Sequence, residues 1–441
     1  MTEPLAGPDF VQLLDPQGNR VEHAEFAYAG ADAELAADLR DMVLTRRIDA
    51  EATALQRKGE LGLWPPSLGQ EAAQIGSARA TRGQDVLVPS YREHGVAWCA
   101  GIDPLDLLTT FRGTGMTEWP SRPDTFHPYS FVIGTQTLHA VGMAMGVQRD
   151  GLVGTADPAD SAAVIVYFGD GATSQGDVNE AFIFAASFAA PVVFFCQNNQ
   201  YAISEPSALQ SRIPLYQRAA GFGFPGVRVD GNDVLAVRAV TEWAMDRARR
   251  GDGPTLIEAY TYRMGAHTTS DDPTKYRQST EVEDWRAKDP IERLRSYLLR
   301  VGAIDATWLD ALAVEADMLA ERLRAGCLTL PERPLASYFG QAYVETPELL
   351  LAQREDHLAY EASFEGAAEA TLRPFDELRA GQAQGTGGSA QGTGAPRQLA
   401  ELVEAPEVTL RQAQGTGGAA QGTDGAAQGT DGAASLTGEV L

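Results

Sequence analysis

Two short apolar runs stand out along the chain: Ala163 to Phe168, which passes straight into Gly169-Asp170-Gly171, and Val192 to Cys196, which ends in Gln197-Asn198-Asn199. Runs of five or six apolar residues bounded by Gly or Pro predict fully buried parallel strands. Between them Val178, Phe182, Ala185 and Ala189 share one helical face, so the segment predicts a strand-helix-strand unit. Ligands of such units gather beyond the carboxyl ends of the strands. Asp170 and Asn199, 29 positions apart, both leave the sheet on that side. Helical spacing begins near Ala33 (Leu35, Leu39, Met42, Val43), returns at Leu105, Leu107, Leu108 and Phe111, and alternates with charge from Trp285 to about Arg324. Thr255 to Tyr262 predicts another strand. Arg263, His267 and Asp271 recur every fourth position after it, but Gly265, Pro273 and the turn-rich Thr268-Thr269-Ser270-Asp271-Asp272 predict a loop.

The ends of the chain differ from its middle. Residues 1–33 read as an extended arm with a turn at Pro16-Gln17-Gly18-Asn19, and residues 34–370 as the folded body. Residues 371–441 hold 14 of the 45 glycines and one aromatic residue, Phe375, and repeat Gln-Gly-Thr from 384, 391, 414, 421 and 428. The seven-residue spacings offer no apolar seam for a coiled coil, so a disordered tail is expected.

The two strand ends also carry chemistry. A carboxylate and an amide oxygen are hard ligands suited to Mg²⁺, which usually takes one or two carboxylates together with phosphate oxygens. Gly169 and Gly171 let backbone approach a phosphate, and the following helix start offers N–H groups to an anion. Taken singly, each motif reads more readily as an ordinary turn. Taken together, Gly-Asp-Gly and Asn-Asn flanking one helix resemble the thiamine diphosphate motif.

Longer stretches narrow that resemblance. YFGDGATSQGD (Tyr167 to Asp177), FFCQNNQYAIS (Phe194 to Ser204), VDGND (Val229 to Asp233) and YRMGAHTTSDDPTKYR (Tyr262 to Arg277) resemble the alpha subunit of the decarboxylating component of 2-oxo acid dehydrogenase complexes. So do LGQEA (Leu68 to Ala72), SYREHGV (Ser90 to Val96) and FVIGTQ (Phe131 to Gln136), and the likeness runs over roughly residues 35–365. It implies an α/β thiamine diphosphate-binding fold, a largely parallel sheet flanked by helices. It implies thiamine diphosphate and Mg²⁺ as cofactors, with Asp170, Asn199 and the backbone oxygen of Tyr201 on the metal. Gly171 and Ala172 would lie near the diphosphate, Tyr91 and Arg92 would approach it, and Phe131 and Ile133 would present backbone groups to the cofactor. His267, with Arg263 and Tyr91, is implied in catalysis, His267 as a phosphate anchor and participant in acyl transfer; an imidazole ordinarily titrates near working pH.

The same resemblance implies oxidative decarboxylation of a branched-chain 2-oxo acid, such as 3-methyl-2-oxobutanoate, or of pyruvate, with transfer to lipoamide. An acetoin-cleaving enzyme and a non-catalytic assembly subunit remain alternatives. The expected partners are a beta subunit, two alpha with two beta chains, and a lipoyl acyltransferase. The beta subunit would supply the glutamate that activates the cofactor's aminopyrimidine, so this chain would hold half a site. Three departures accompany the likeness: Gln197 where some branched-chain relatives carry an arginine, Thr268 where regulated animal relatives carry a phosphorylated serine, and Pro65-Pro66-Ser67 in place of a histidine-containing stretch.

Composition changes the picture little. Of 441 residues 44% are hydrophobic, enough for a sizeable core, and 35 basic against 60 acidic residues leave a net charge of −25. That balance argues against nucleic-acid and anionic-membrane partners. Cys99, Cys196 and Cys327 lack metal-type spacing and read as reduced thiols. The first residues have neither a basic stretch nor an apolar core, and no apolar run spans a bilayer, so a cytoplasmic location is expected.

Overall fold

The computed structural model describes residues 10–115 and 119–364. Its strands are β1 (Phe10–Val11), β2 (Val86–Val88), β3 (Val164–Gly169), β4 (Val192–Asn198), β5 (Tyr201–Ala202), β6 (Glu205–Pro206), β7 (Gly226–Asp230) and β8 (Thr255–Tyr260). Six of them form one sheet in the order β1-β7-β8-β4-β3-β2, every neighbouring pair parallel. The two-residue strands β5 and β6 pair antiparallel just beyond β4.

Parallel strands connected through helices have both faces covered, which explains why β3 and β4 are apolar without alternation. Val164, Val166, Phe168, Val192, Phe194 and Cys196 point into one core, against helices Thr135–Arg149 and Gly176–Ser187. Ile165, Tyr167, Val193 and Phe195 point into the other, which takes in helices Asp32–Arg57, Glu71–Arg79 and Val234–Arg250. The α/β expectation is met. Helix Gly176–Ser187 buries Val178, Phe182 and Ala185 as predicted, together with Ala181. Ala189 departs from that face, because the helix has already ended and Ala189, at φ 46°, reverses the chain into β4.

Other predicted segments are recognisable. Leu35, Leu39 and Met42 are buried on Asp32–Arg57, and Leu107, Leu108 and Phe111 on Pro104–Arg112. The amphipathic stretch forms Ser279–Arg286, Pro290–Val301 and Ala306–Leu328. From Phe10 the extended segment lies on the sheet as edge strand β1, with Leu13 and Leu14 buried. Asp233 of the VDGND stretch holds it there. Its Oδ2 accepts from the backbone N–H groups of Leu13 (2.6 Å) and Leu14 (2.5 Å), while its Oδ1 accepts from Leu235 and Ala236 to cap helix Val234–Arg250. Arg293 pairs with Asp230 at 2.7 Å beside it.

The chain divides after Leu358; the described residues of the second unit, 359–364, close helix Glu348–Ala362. The tail from 371, with its Gln-Gly-Thr repeats, lies outside the described residues. Among the described residues no helix is long and apolar enough to cross a membrane, and all three cysteines are free.

Candidate active site

A cavity of about 430 Å³ opens at the carboxyl edge of the sheet. Tyr91, Arg92, Phe131, Ile133, Asp170, Gly171, Ala172, Asn199, Tyr201, Arg263 and His267 all line it. They arrive from five places: the chain after β2, the segment before helix Thr135–Arg149, the exits of β3 and β4, and the chain after β8. The β3–β4 register pairs Gly169 with Gln197, so Asp170, one residue on, and Asn199, two residues on, leave neighbouring strands at the same edge.

Asp170 opens a short 3₁₀ turn, Asp170–Ser174, and is 2% exposed. Gln210 donates to its Oδ2 at 3.2 Å, and it forms no ion pair among the described residues. Burial pushes its pKa up to about 6. Asn199 is also buried; its Oδ1 accepts from the Tyr201 N–H at 3.4 Å and its Nδ2 donates to Gln70 Oε1 at 3.0 Å. Beyond Asn199 the chain passes through two left-handed residues, Gln200 (φ 72°) and Ile203 (φ 56°). A β-branched residue is strained there and must be held. Arg263, 1% exposed, does the holding: its Nη1 donates to the Tyr201 carbonyl at 2.8 Å and its Nη2 to the Ile203 carbonyl at 2.6 Å. Its Nε has no partner among the described residues.

β8 ends at Tyr260, two residues earlier than the pattern predicts, yet the chain stays beside β4: Thr261 and Arg263 donate backbone N–H groups to the Asn198 and Asn199 carbonyls at 2.9 and 3.3 Å. The following segment is a loop, as expected. His267 sits in it half-buried, its backbone N–H donating to Asp271 Oδ2 at 2.9 Å. Arg92 Nη2 lies 3.1 Å from His267 Nδ1 and 2.8 Å from the His267 carbonyl, and Arg263 Nη1 lies 3.5 Å from Nδ1. Guanidinium groups only donate, so Nδ1 accepts and Nε2 carries the proton. Burial, then Arg92 and Arg263, lower the His267 pKa to about 3. In this arrangement two cations flank the ring and move the imidazole away from its ordinary value. Tyr91 stacks on Phe131 (5.9 Å between ring centroids) and meets the His267 ring edge-on at 6.3 Å.

The profile of the dehydrogenase E1 component family matches residues 39–321, more than half of the chain. The 3-methyl-2-oxobutanoate dehydrogenase subunit alpha of Mycobacterium tuberculosis is 44% identical over 346 residues, 78% of this chain and 92% of that protein. The pyruvate dehydrogenase E1 component subunit alpha of Staphylococcus aureus is 39% identical over 297 residues, 67% of this chain and 78% of that protein. The chain belongs to the dehydrogenase E1 component family. It is an E1 alpha chain of the 2-oxo acid dehydrogenase kind, as its motifs imply.

Four further polar residues of this E1 chain face the cavity and had no role assigned from sequence: Gln70, Ser90, Glu93 and Gln136. Each lies inside a stretch that carries the family likeness (LGQEA, SYREHGV, FVIGTQ), which is the signal that could have marked them. Gln136 donates to the Tyr167 carbonyl at 3.0 Å and its Oε1 has no partner among the described residues. Glu93 is 2% exposed, and burial pushes its pKa up to about 7. Its Oε1 accepts from Gln197 Nε2 at 2.7 Å, so the residue that departs from the arginine of some relatives is bound to an acid. Of the other departures, Pro65 and Thr268 line the cavity, and the Pro66 carbonyl accepts from Arg92 Nη1 at 2.7 Å. Neighbouring His94 is structural. Fully buried and lowered to about 3, it lies between the Pro65 carbonyl (3.0 Å) and the Tyr129 hydroxyl (3.1 Å).

Proposed function

We propose that the chain supplies the diphosphate- and metal-binding half of a thiamine diphosphate site, for oxidative decarboxylation of a branched-chain 2-oxo acid such as 3-methyl-2-oxobutanoate and acyl transfer to lipoamide. One observation carries the reading: Asp170, a buried carboxylate without an ion pair among the described residues, shares a 430 Å³ cavity with the Asn199 amide oxygen, the Tyr201 backbone and two guanidinium groups. Its volume is in the range of small-molecule sites. The donor set fits Mg²⁺, one carboxylate and two neutral oxygens, with room for phosphate oxygens to complete the shell. The Tyr201 carbonyl keeps one lone pair for a cation, the other being taken by Arg263.

The chemistry that thiamine diphosphate supplies when bound is an electron sink for the carbon–carbon bond broken in decarboxylation. The protein's residues bind and orient. Arg92 offers positive charge to a diphosphate from the β2 side, while Gly171 and Ala172 bring backbone close to it. His267, neutral with its proton on Nε2, can donate a hydrogen bond into the cavity and take a proton there once an anion offsets its two cationic neighbours. Phe131, Ile133 and Tyr91 shape the apolar side.

A beta subunit in a two-alpha, two-beta assembly, a lipoyl acyltransferase as acceptor and a cytoplasmic setting belong to the same reading. The branched-chain assignment is supported by the higher identity to the 3-methyl-2-oxobutanoate enzyme, 44% against 39%. The test is calorimetric titration of thiamine diphosphate with Mg²⁺ into the chain assembled with its beta subunit, followed by kcat/KM for 3-methyl-2-oxobutanoate and pyruvate. Saturable Mg²⁺-dependent binding and a preference for the branched substrate are expected. Absence of binding would refute the site, and a preference for pyruvate would refute the substrate.

A further inference from the structure

Gln70 stands at the back of the cavity, 0% exposed, immediately before helix Glu71–Arg79. Its side chain makes one hydrogen bond among the described residues, accepting at Oε1 from Asn199 Nδ2 at 3.0 Å. Its own Nε2 is buried and has no partner there. Burying an amide to satisfy only its oxygen is unusual, so the question is what that oxygen does. The two ends of an Asn amide look alike in shape, and only hydrogen bonds decide which faces a ligand. For Asn199 two contacts agree on one orientation. The Tyr201 backbone N–H, always a donor, lies at 3.4 Å and requires the oxygen at that end, and Gln70 Oε1 requires the nitrogen at the other. Reversing Asn199 would set N–H against N–H at Tyr201 and leave Gln70 to turn as well.

We propose that Gln70 is a positioning residue for the metal site: by accepting from Asn199 Nδ2 it keeps the Asn199 amide oxygen, and not its NH₂ group, directed to the cation beside Asp170. The Tyr201 contact, at 3.4 Å, is too long to enforce this alone. Gln70 Nε2, without a partner among the described residues, is left to meet an acceptor atom of whatever fills the cavity. Partners that orient metal ligands are commonly worth one to two orders of magnitude in metal affinity. The inference rests on the metal and diphosphate assignment above.

The experiment measures thiamine diphosphate binding to the full chain assembled with its beta subunit, by calorimetry, across a series of Mg²⁺ concentrations. The wild-type assembly comes first. If it shows no Mg²⁺-dependent binding, the site assignment itself fails and the role of Gln70 falls with it. Given binding, Gln70→Met, which keeps the length and removes the acceptor, is expected to raise the half-saturating Mg²⁺ concentration about tenfold or more. Gln70→Glu keeps an acceptor for Asn199 Nδ2 and is expected to stay within about threefold of wild type. The unliganded melting temperature separates this from a packing defect; should the Met variant fail to fold, Gln70→Ser, too short to reach Asn199, replaces it. A folded Met or Ser variant with wild-type Mg²⁺ dependence would overturn the proposal. So would a Glu variant as impaired as the Met variant.

Discussion

Asp170 has its carboxylate buried without an ion pair among the described residues, and the cost of that burial appears in its pKa, raised from 3.8 to about 6. A carboxyl whose folded pKa lies above its unfolded value contributes stability that is complete below pH 3.8 and lost as pH rises through about 6. By pH 8 the loss is on the order of 3 kcal/mol, from about 1.4 kcal/mol per pKa unit. Asp170→Asn keeps the shape and removes the charge. It is expected to melt higher than wild type at pH 8, to match it at pH 4, and to lose Mg²⁺-dependent thiamine diphosphate binding. A variant that melts lower at pH 8 would show that the fold itself stabilises the ionised carboxylate. His267 has the opposite sign of shift, lowered to about 3 by burial and by Arg92 and Arg263. A diphosphate bound against those guanidiniums would offset them and raise the imidazole pKa. The His267 ring protons, followed by NMR in a labelled assembly, are expected to titrate below pH 5 without ligand and at least about one unit higher with it. An unchanged midpoint would place the diphosphate away from this loop.

At the scale of elements, the site depends on how closely the exit of β3 packs on β5. A Cβ added at Gly171 would lie 2.7 Å from Ala202 Cβ and 3.4 Å from Ala202 Cα. Gly171→Ala must therefore push β5 outwards, carrying with it the Tyr201 carbonyl and the strained turn that Arg263 clamps. Overpacking of this kind costs about 1–3 kcal/mol, so a loss of cofactor affinity of about tenfold is expected, with restoration in Gly171→Ala/Ala202→Gly. Failure of the second substitution to rescue would mean that the glycine serves phosphate approach and not packing. The same contrast explains what could be read beforehand. Strand ends were legible because unbroken apolar runs stop abruptly at Gly169 and Gln197, and the His267 loop because Gly265 and Pro273 interrupt any helix. The setting of the loop was not. Arg92 and His267 are 175 positions apart, and Gln70 and Asn199 are 129 apart, so no local pattern announces their contact. The docking of β1 was equally hidden, since two residues held by the Asp233 carboxylate carry no periodicity. Glu93 escaped notice because a charged residue in a polar stretch ordinarily faces solvent, whereas this one is enclosed by the cavity and Gln197.

For the whole molecule the question is whether one chain can complete the chemistry. Among the described residues the cavity is lined by two carboxyl groups, Asp170 and Glu93. Asp170 is the carboxylate proposed for the metal. Glu93, with a pKa near 7, has the proton affinity of a general acid or base, but its Oε1 is engaged by Gln197 at 2.7 Å. Meanwhile the mouth of the cavity is bordered by apolar side chains left open: Phe131 is 48% exposed, Ile133 40%, Ile203 56%, with Val132 beside them at 69%. Clustered apolar exposure at a site marks a surface for a partner. Both features agree with a glutamate arriving from a beta subunit that seats on this rim. The purified chain is therefore expected to release no carbon dioxide from any 2-oxo acid, measured with an artificial electron acceptor, and addition of the beta subunit is expected to restore release. Within that assembly His267→Ala should impair acyl transfer to lipoamide at least as much as decarboxylation, since its loop borders the cavity mouth through Thr268. Glu93→Gln separates the two candidate acids. If the beta subunit supplies the activating glutamate, this variant retains decarboxylation in the assembly, at a rate reduced only as far as the Gln197 contact is disturbed. Turnover by the alpha chain alone, abolished by Glu93→Gln, would show instead that the chain carries its own activating carboxyl and that the rim serves assembly only.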